Sequence, residues 1–118
     1  MKENIILQKS YSFALRIVNL YLYLKKEKKE FELAKQVLKS GTSIGANVEE
    51  AVGGFTRKDF SAKLGIAYKE ARETKYWLRL LNDANLIESK IFYSMQKDCE
   101  ELLKIIGSIL KTLKETNS

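Results

Sequence analysis

Apolar side chains recur along most of this 118-residue chain at alternating steps of three and four, the period of α-helices that bury one face. The last block is the cleanest. Phe92, Met95, Cys99, Leu102, Ile106, Ile109 and Leu113 follow one another without a break, as in the seam of an antiparallel bundle or coiled coil. Ser89 is placed to cap that helix, and the turn before it, residues 83–88, holds Asn85, which tolerates the left-handed conformation. A third block, Phe60, Leu64, Ala67, Ala71, Thr74, Leu78 and Leu81, predicts a helix to about residue 82, with Thr56 and Asp59 resembling a capping box at its start. The second predicted helix covers Glu32–Val52 and stops at Gly53 and Gly54. The first covers residues 10–26 with Ser10 as N-cap. It carries two apolar stripes, Phe13, Ile17, Leu20 and Leu24 on one side and Leu15, Val18 and Leu22 on another, so burial on two sides is expected, one of them against another subunit.

Long helices joined by short connections pack antiparallel to their sequence neighbours. The expected fold is therefore all-α, an antiparallel up-down-up-down four-helix bundle, with residues 1–118 as a single domain. Proline is absent, where average usage would give about six, and that agrees with helix throughout. The longest apolar run, residues 20–24, is far short of the ~20 residues of a membrane span, and the N-terminus has no signal-peptide pattern. A cytoplasmic protein without a membrane partner is expected. The lone Cys99 sits in the core seam and is expected to be inert packing in a reducing compartment.

The second helix is unusual in where it places small and polar residues. Gln36, Ser40, Ser43, Asn47 and Glu50 form one stripe at steps of four, three, four and three, beside an apolar face of Val37, Gly41, Ile44, Val48 and Ala51. Asn47 and Glu50 are expected to be mostly buried, bonded to the third helix or to a neighbouring subunit, because unpaired polar burial costs about 1–3 kcal/mol. Gly41 and Gly45 each cost about 1 kcal/mol relative to Ala inside a helix, so they are expected to let another helix approach closely.

Histidine is absent, which excludes Ser-His-Asp and Cys-His catalysis and removes the commonest nitrogen ligand for metals. The glycines fit neither a P-loop nor a dinucleotide fingerprint. Neither catalytic residues nor a cofactor or metal site is expected. Glu50, Glu70 and Glu73 are paired carboxylates of the kind that do acid–base work or hold a di-metal centre, but the Glu-x-x-His motif is missing. For Glu70 the expectation is an ion pair or hydrogen bond across to the second helix.

The net charge is +6. Lys25, Lys26, Lys28 and Lys29 crowd the end of the first helix, either as cations favoured by its C-terminal dipole or as a contact for a polyanion. On the third helix Tyr68, Arg72, Lys75 and Arg79, at steps of four, three and four, form a cationic stripe with an aromatic at one end. Such a stripe tracks phosphates in a nucleic-acid-binding protein and is merely solvated in others.

QVLKSGTSIGANVEEA followed by FSAKLGIAYKEARETKYWLRLL resembles the 23S rRNA intervening-sequence proteins over nearly the whole chain. The matching positions are Gln36, Ser40, Ser43, Ile44, Asn47 and Glu50, then Ala67, Glu70, Tyr76, Trp77 and Leu78, while Lys39 and Ala51 stand where that family often has Arg and Gly. The resemblance implies a four-helix protomer that assembles with itself into a ring, a pentamer. It also implies kinship in fold with the accessory variability protein of diversity-generating retroelements, which binds nucleic acid and a reverse transcriptase. RNA or DNA, a ribonucleoprotein or a reverse-transcriptase-like protein are the partners it suggests.

Overall fold

The computed structural model describes residues 2–116, which form α1 (Lys2–Lys26), α2 (Glu32–Val52), α3 (Arg57–Asp83) and α4 (Ser89–Thr116). Residue numbers rise along one helix as they fall along the next. Ser10 meets Gly45 and Ile17 meets Gly41 between α1 and α2. Ser40 meets Thr74 and Glu50 meets Lys63 between α2 and α3. Ala71 meets Cys99 between α3 and α4, and Lys9 and Arg16 reach Glu101 and Asp98 to close the square. The result is an up-down-up-down bundle, a rod of 48 × 21 × 21 Å.

The predicted seams of α3 and α4 are the observed ones, with Leu64, Leu78, Met95, Leu102 and Ile106 buried in one continuous core. Phe60, Ile109 and Leu113, towards the rod's end, are half-buried. The Cys99 thiol donates to the carbonyl of Ala71 at 3.2 Å, and burial pushes it up to about 12. It is a packing group, since only a thiolate is nucleophilic.

Helix ends follow local chemistry. Thr56 caps α3 by accepting the amide of Asp59 at 3.0 Å, and Asn85 adopts φ 60° in the last turn, both as expected. Phe31, at the N-cap of α2, has no capping oxygen; the Glu30 carboxylate accepts the amide of Leu33 at 2.6 Å instead. Gly53 ends α2 with φ −82°, not in the left-handed region. The need for glycine here is steric, at Gly54: a Cβ there would sit 3.2 Å from both the carbonyl of Ala51 and the Cβ of Asp59. Ser89 is the first residue of α4 and its hydroxyl donates to Asn82 Oδ1 at 3.2 Å.

The start of α1 differs from the expectation. Ser10 is not an N-cap: the helix begins at Lys2, and Ser10 is a buried mid-helix residue whose hydroxyl donates to the carbonyl of Leu7 at 3.3 Å. The reason lies in its neighbour. Ser10 occupies a core position of the series Ile6, Ser10, Phe13, Ile17, Leu20 and Leu24, and a small side chain is required there because α2 comes so close. A Cβ on Gly45 would lie 3.3 Å from the Ser10 carbonyl oxygen, and one on Gly41 would lie 2.6 Å from Ile17 Cγ1. The second stripe of α1 is not covered in the single chain: Leu15, Val18 and Leu22 are 52%, 37% and 54% exposed.

On its other flank α2 meets α3 through a buried hydroxyl pair. Thr74 Oγ1 is 2.9 Å from Ser40 Oγ and 2.8 Å from the carbonyl of Glu70. Each hydroxyl has one proton, so one proton links the two oxygens and the other goes to a helix carbonyl.

Two predictions follow from this packing, read by chemical denaturation. Gly41→Ala drives its new methyl into the fully buried side chain of Ile17, which must shift, and should lose about 1–3 kcal/mol in spite of the ~1 kcal/mol gained in helix propensity. At Gly65 a Cβ meets nothing within 4 Å, so Gly65→Ala should gain about 0.5–1 kcal/mol. Equal shifts for both would show that contact with α1 is irrelevant. Thr74→Val leaves the Ser40 hydroxyl buried without its partner and should cost about 1–3 kcal/mol. Adding Ser40→Ala should cost less than the two single changes summed, and strict additivity would exclude coupling.

Candidate functional site

The polar stripe of α2 lies along its border with α3, at an angle to the core. A stripe at steps of three and four averages 3.5 residues per turn and drifts about 20° per heptad on a straight helix. Ser40 is accordingly buried and Asn47, one heptad on, half-buried; Ser43 is half-buried and Glu50, one heptad on, exposed. The expected burial of Asn47 and Glu50 against α3 is therefore corrected for the single chain. Asn47 Nδ2 donates to the Ser43 carbonyl of its own helix at 2.8 Å. Glu50 pairs with Lys63 of α3 at 2.8 Å with its side chain 58% exposed. Gln36 is exposed at the far end.

Glu70 sits between these pairs, half-buried. Burial and the neighbouring charge of Glu73 raise its carboxyl above the ordinary value, while Lys39 and a hydrogen bond from Ser43 oppose the rise. The Ser43 hydroxyl also lies 2.6 Å from the carbonyl of Lys39, so its single proton serves one acceptor at a time. Glu73 turns to the Trp77 indole, which donates to it at 3.0 Å. Among the described residues no three potential ligands among Cys, Asp and Glu come together as a metal centre.

The cationic stripe of α3 divides in two. Tyr68 is half-buried with its ring against Gly107 of α4, and Lys75 pairs with Glu100 at 3.4 Å. Arg72 and Arg79 are exposed and seven residues apart, hence on one line about 10.5 Å long, and neither forms an ion pair among the described residues. In the cluster after α1, Lys25 places its ammonium 4.9 Å from the Tyr21 ring centroid, and Lys29 takes φ 55°.

Two surface features escaped the sequence reading. Lys90, Lys97, Lys104 and Lys111 are all exposed on α4. Their spacing of seven was the available signal. Phe55, in the turn after Gly54, is 99% exposed, and nothing in the hydrophobic period marks it. The seam between α1 and α4 holds a groove of about 340 Å³ lined by Leu20, Tyr23, Ile87, Ile91 and Met95. Arg16 at its edge is engaged by Asp98 at 2.6 Å and Ser94 at 3.0 Å, so the groove offers no free reactive group from that residue. On the outer side of α1, Tyr11, 65% exposed, extends the stripe of Leu15, Val18 and Leu22 to four uncovered side chains.

The same bundle occurs in a crystal structure of a protein of unknown function from the S23 ribosomal protein family of Bacteroides thetaiotaomicron. That protein is 50% identical to this chain with a TM-score of 0.92, over 94% of this chain and 99% of that one. None of the curated proteins matches. The family model described as 23S rRNA-intervening sequence protein matches residues 2–108, which takes in all of α1, α2 and α3 and most of α4. A match of that extent, on a bundle shared with a half-identical relative, makes this chain a member of the 23S rRNA-intervening sequence protein family.

Proposed function

We propose that the protein is a non-enzymatic scaffold that assembles with itself and presents its basic surface to nucleic acid, free or within a ribonucleoprotein. The observation that carries the reading is the uncovered stripe Tyr11, Leu15, Val18 and Leu22 on α1. Each of its members is 37–65% exposed, and together they run for about three turns on one line. Scattered exposed apolar residues are normal on a monomer; four in line on a rigid helix form the contiguous kind of patch that marks an interface.

The surface area agrees. The chain exposes 7499 Å², about 900 Å² more than a compact monomer of its mass. Part of that excess comes from the rod shape, and it is comparable to the ~800 Å² that one partner contributes to a standard interface. A second copy of the chain is the occupant of this stripe, in keeping with the ring that the family resemblance implies.

For the basic surface the support is Arg72 and Arg79, which stand exposed beside Lys75 and form no ion pair among the described residues. A single protomer offers only a few cations, so its binding is weak and set by counterion release. Repetition around an assembly supplies the rest, because linked weak contacts bind far more tightly than one.

Light scattering coupled to size exclusion should give several times 13.6 kDa, and five times that mass for a pentamer. Leu15→Glu with Leu22→Glu should give a monomer of unchanged helicity, because both side chains lie outside the core. A parent that is already monomeric at micromolar concentration would refute self-association. Nucleic-acid affinity of the parent should fall steeply with salt, and Arg72→Glu with Arg79→Glu should lower both affinity and the log–log slope, by roughly one per lost contact. Unchanged binding by that variant would reduce the stripe to a solvated face, and no binding at low salt would leave a purely structural oligomer.

A further inference from the structure

We infer that the outer ridge of α4, formed by Lys90, Lys97, Lys104 and Lys111 with Arg72 and Arg79 of α3 beside it, is a docking surface for duplex nucleic acid. This rests on the nucleic-acid reading above and assigns the main contact to residues outside the α3 stripe. Residues seven apart shift by only about 20° around a helix, so the four lysines form a nearly straight line. Its length is about 31 Å at 1.5 Å per residue, with a cation every 10.5 Å or so.

Three of the four acids of α4 are drawn towards the neighbouring helices, while the fourth, Glu115, follows Lys111 by one turn at the end of the ridge. Asp98 is held by Arg16 at 2.6 Å and Glu101 by Lys9 at 3.2 Å, both on the α1 side, while Lys75 holds Glu100 on the α3 side at 3.4 Å. The three carboxylates, each about half exposed, are thereby paired towards the two seams. None of the four lysines forms an ion pair among the described residues. From Lys90 to Lys111 the crest thus carries four exposed cations whose neighbouring acids, Asp98, Glu100 and Glu101, are engaged by other helices. On α3, Arg72 and Arg79 flank Lys75, which reaches Glu100, and stand exposed on the outer side of that seam.

Geometry favours a duplex over other polyanions. One turn of duplex is about 34–36 Å long, close to the length of the ridge, so a straight row of cations laid along a duplex crosses both backbones within one turn. A single strand is held by aromatic platforms at successive bases, whereas Tyr93, 67% exposed, is the aromatic that this part of α4 offers. Binding flat on an anionic membrane needs a row of large apolar groups to insert, and the crest has lysines in that place.

The test uses the full chain and fluorescence anisotropy with labelled RNA and DNA duplexes of about two turns, across a salt series. Lys97→Glu with Lys104→Glu should weaken duplex binding about tenfold or more at low salt and flatten the log–log slope by about two. Lys35→Glu with Lys39→Glu makes the same change in net charge on α2, the helix that does not touch α4, and should stay within about twofold of the parent, the behaviour of cations that neutralise no phosphate. Circular dichroism should show full helicity in both variants. Loss of binding in the Arg72→Glu and Arg79→Glu variant but not in the ridge variant would overturn this inference and leave the α3 stripe standing. Equal losses in the ridge and control variants would also overturn it, since binding would then follow net charge. Preference for single strands or for anionic phosphatidylserine vesicles over duplex would do the same. Failure of the parent to bind any nucleic acid at low salt would remove the ridge and the nucleic-acid half of the proposed function together.

Discussion

The close approach of α1 to α2 is the constraint on which the rest of this bundle depends. Gly45 faces the backbone of Ser10 and Gly41 receives the side chain of Ile17, so the two helices meet where neither can carry a larger residue. On its opposite flank α2 is tied to α3 by the buried hydroxyls of Ser40 and Thr74. A helix held tightly on both sides leaves its neighbours little freedom. The slack appears at the remaining seam, between α1 and α4, where grooves open between the helices and the ion pairs of Lys9 and Arg16 reach across. These pairs are exposed and contribute little stability each, a median of about 0–1 kcal/mol. Their larger effect is on where charge resides.

Most of the helices were legible in the sequence, because period and caps gave the same answer. Glu32–Val52 is recovered to the residue, and Thr56 caps α3 through the amide of Asp59. The start of α1 was misread since a serine in front of an apolar run looks like a cap, whereas the same residue type also serves as a small core residue under a neighbouring glycine. Only the position of α2 distinguishes these roles. That position is a tertiary fact, and the eight residues ahead of Ser10 in α1 were lost with it.

The polar stripe was legible as a stripe and not as a depth. Steps of three and four place Gln36, Ser40, Ser43, Asn47 and Glu50 together, yet the slow drift of that series against the helix carries it from the buried Ser40 to the exposed Glu50. Glu70 and Lys63 on α3 meet it in register, as antiparallel packing requires. The basic residues were legible in kind but not in grouping. Counting cations on α3 joined Tyr68 and Lys75 to Arg72 and Arg79, while the fold directs the first two at α4 and leaves the arginines outside. The lysines of α4 were overlooked because acids alternate with them along the chain, and a sequence window averages the two.

Averaging is what the folded bundle undoes. Along α4 the sequence sets Lys97 beside Asp98 and Glu100 and Glu101 before Lys104, an arrangement that is close to neutral when read in order. Folding sorts these charges by angle, sending each acid to a seam where a basic residue of α1 or α3 meets it. The cations left on the crest are then flanked by acids of their own helix that are already engaged by α1 and α3. Because screening lengths near physiological salt are about 8 Å, a phosphate at the crest responds chiefly to the charges nearest it. The same pairs that bridge the loose seams therefore also set the sign of the outer surface, and the charge of that surface is a consequence of how the bundle closes.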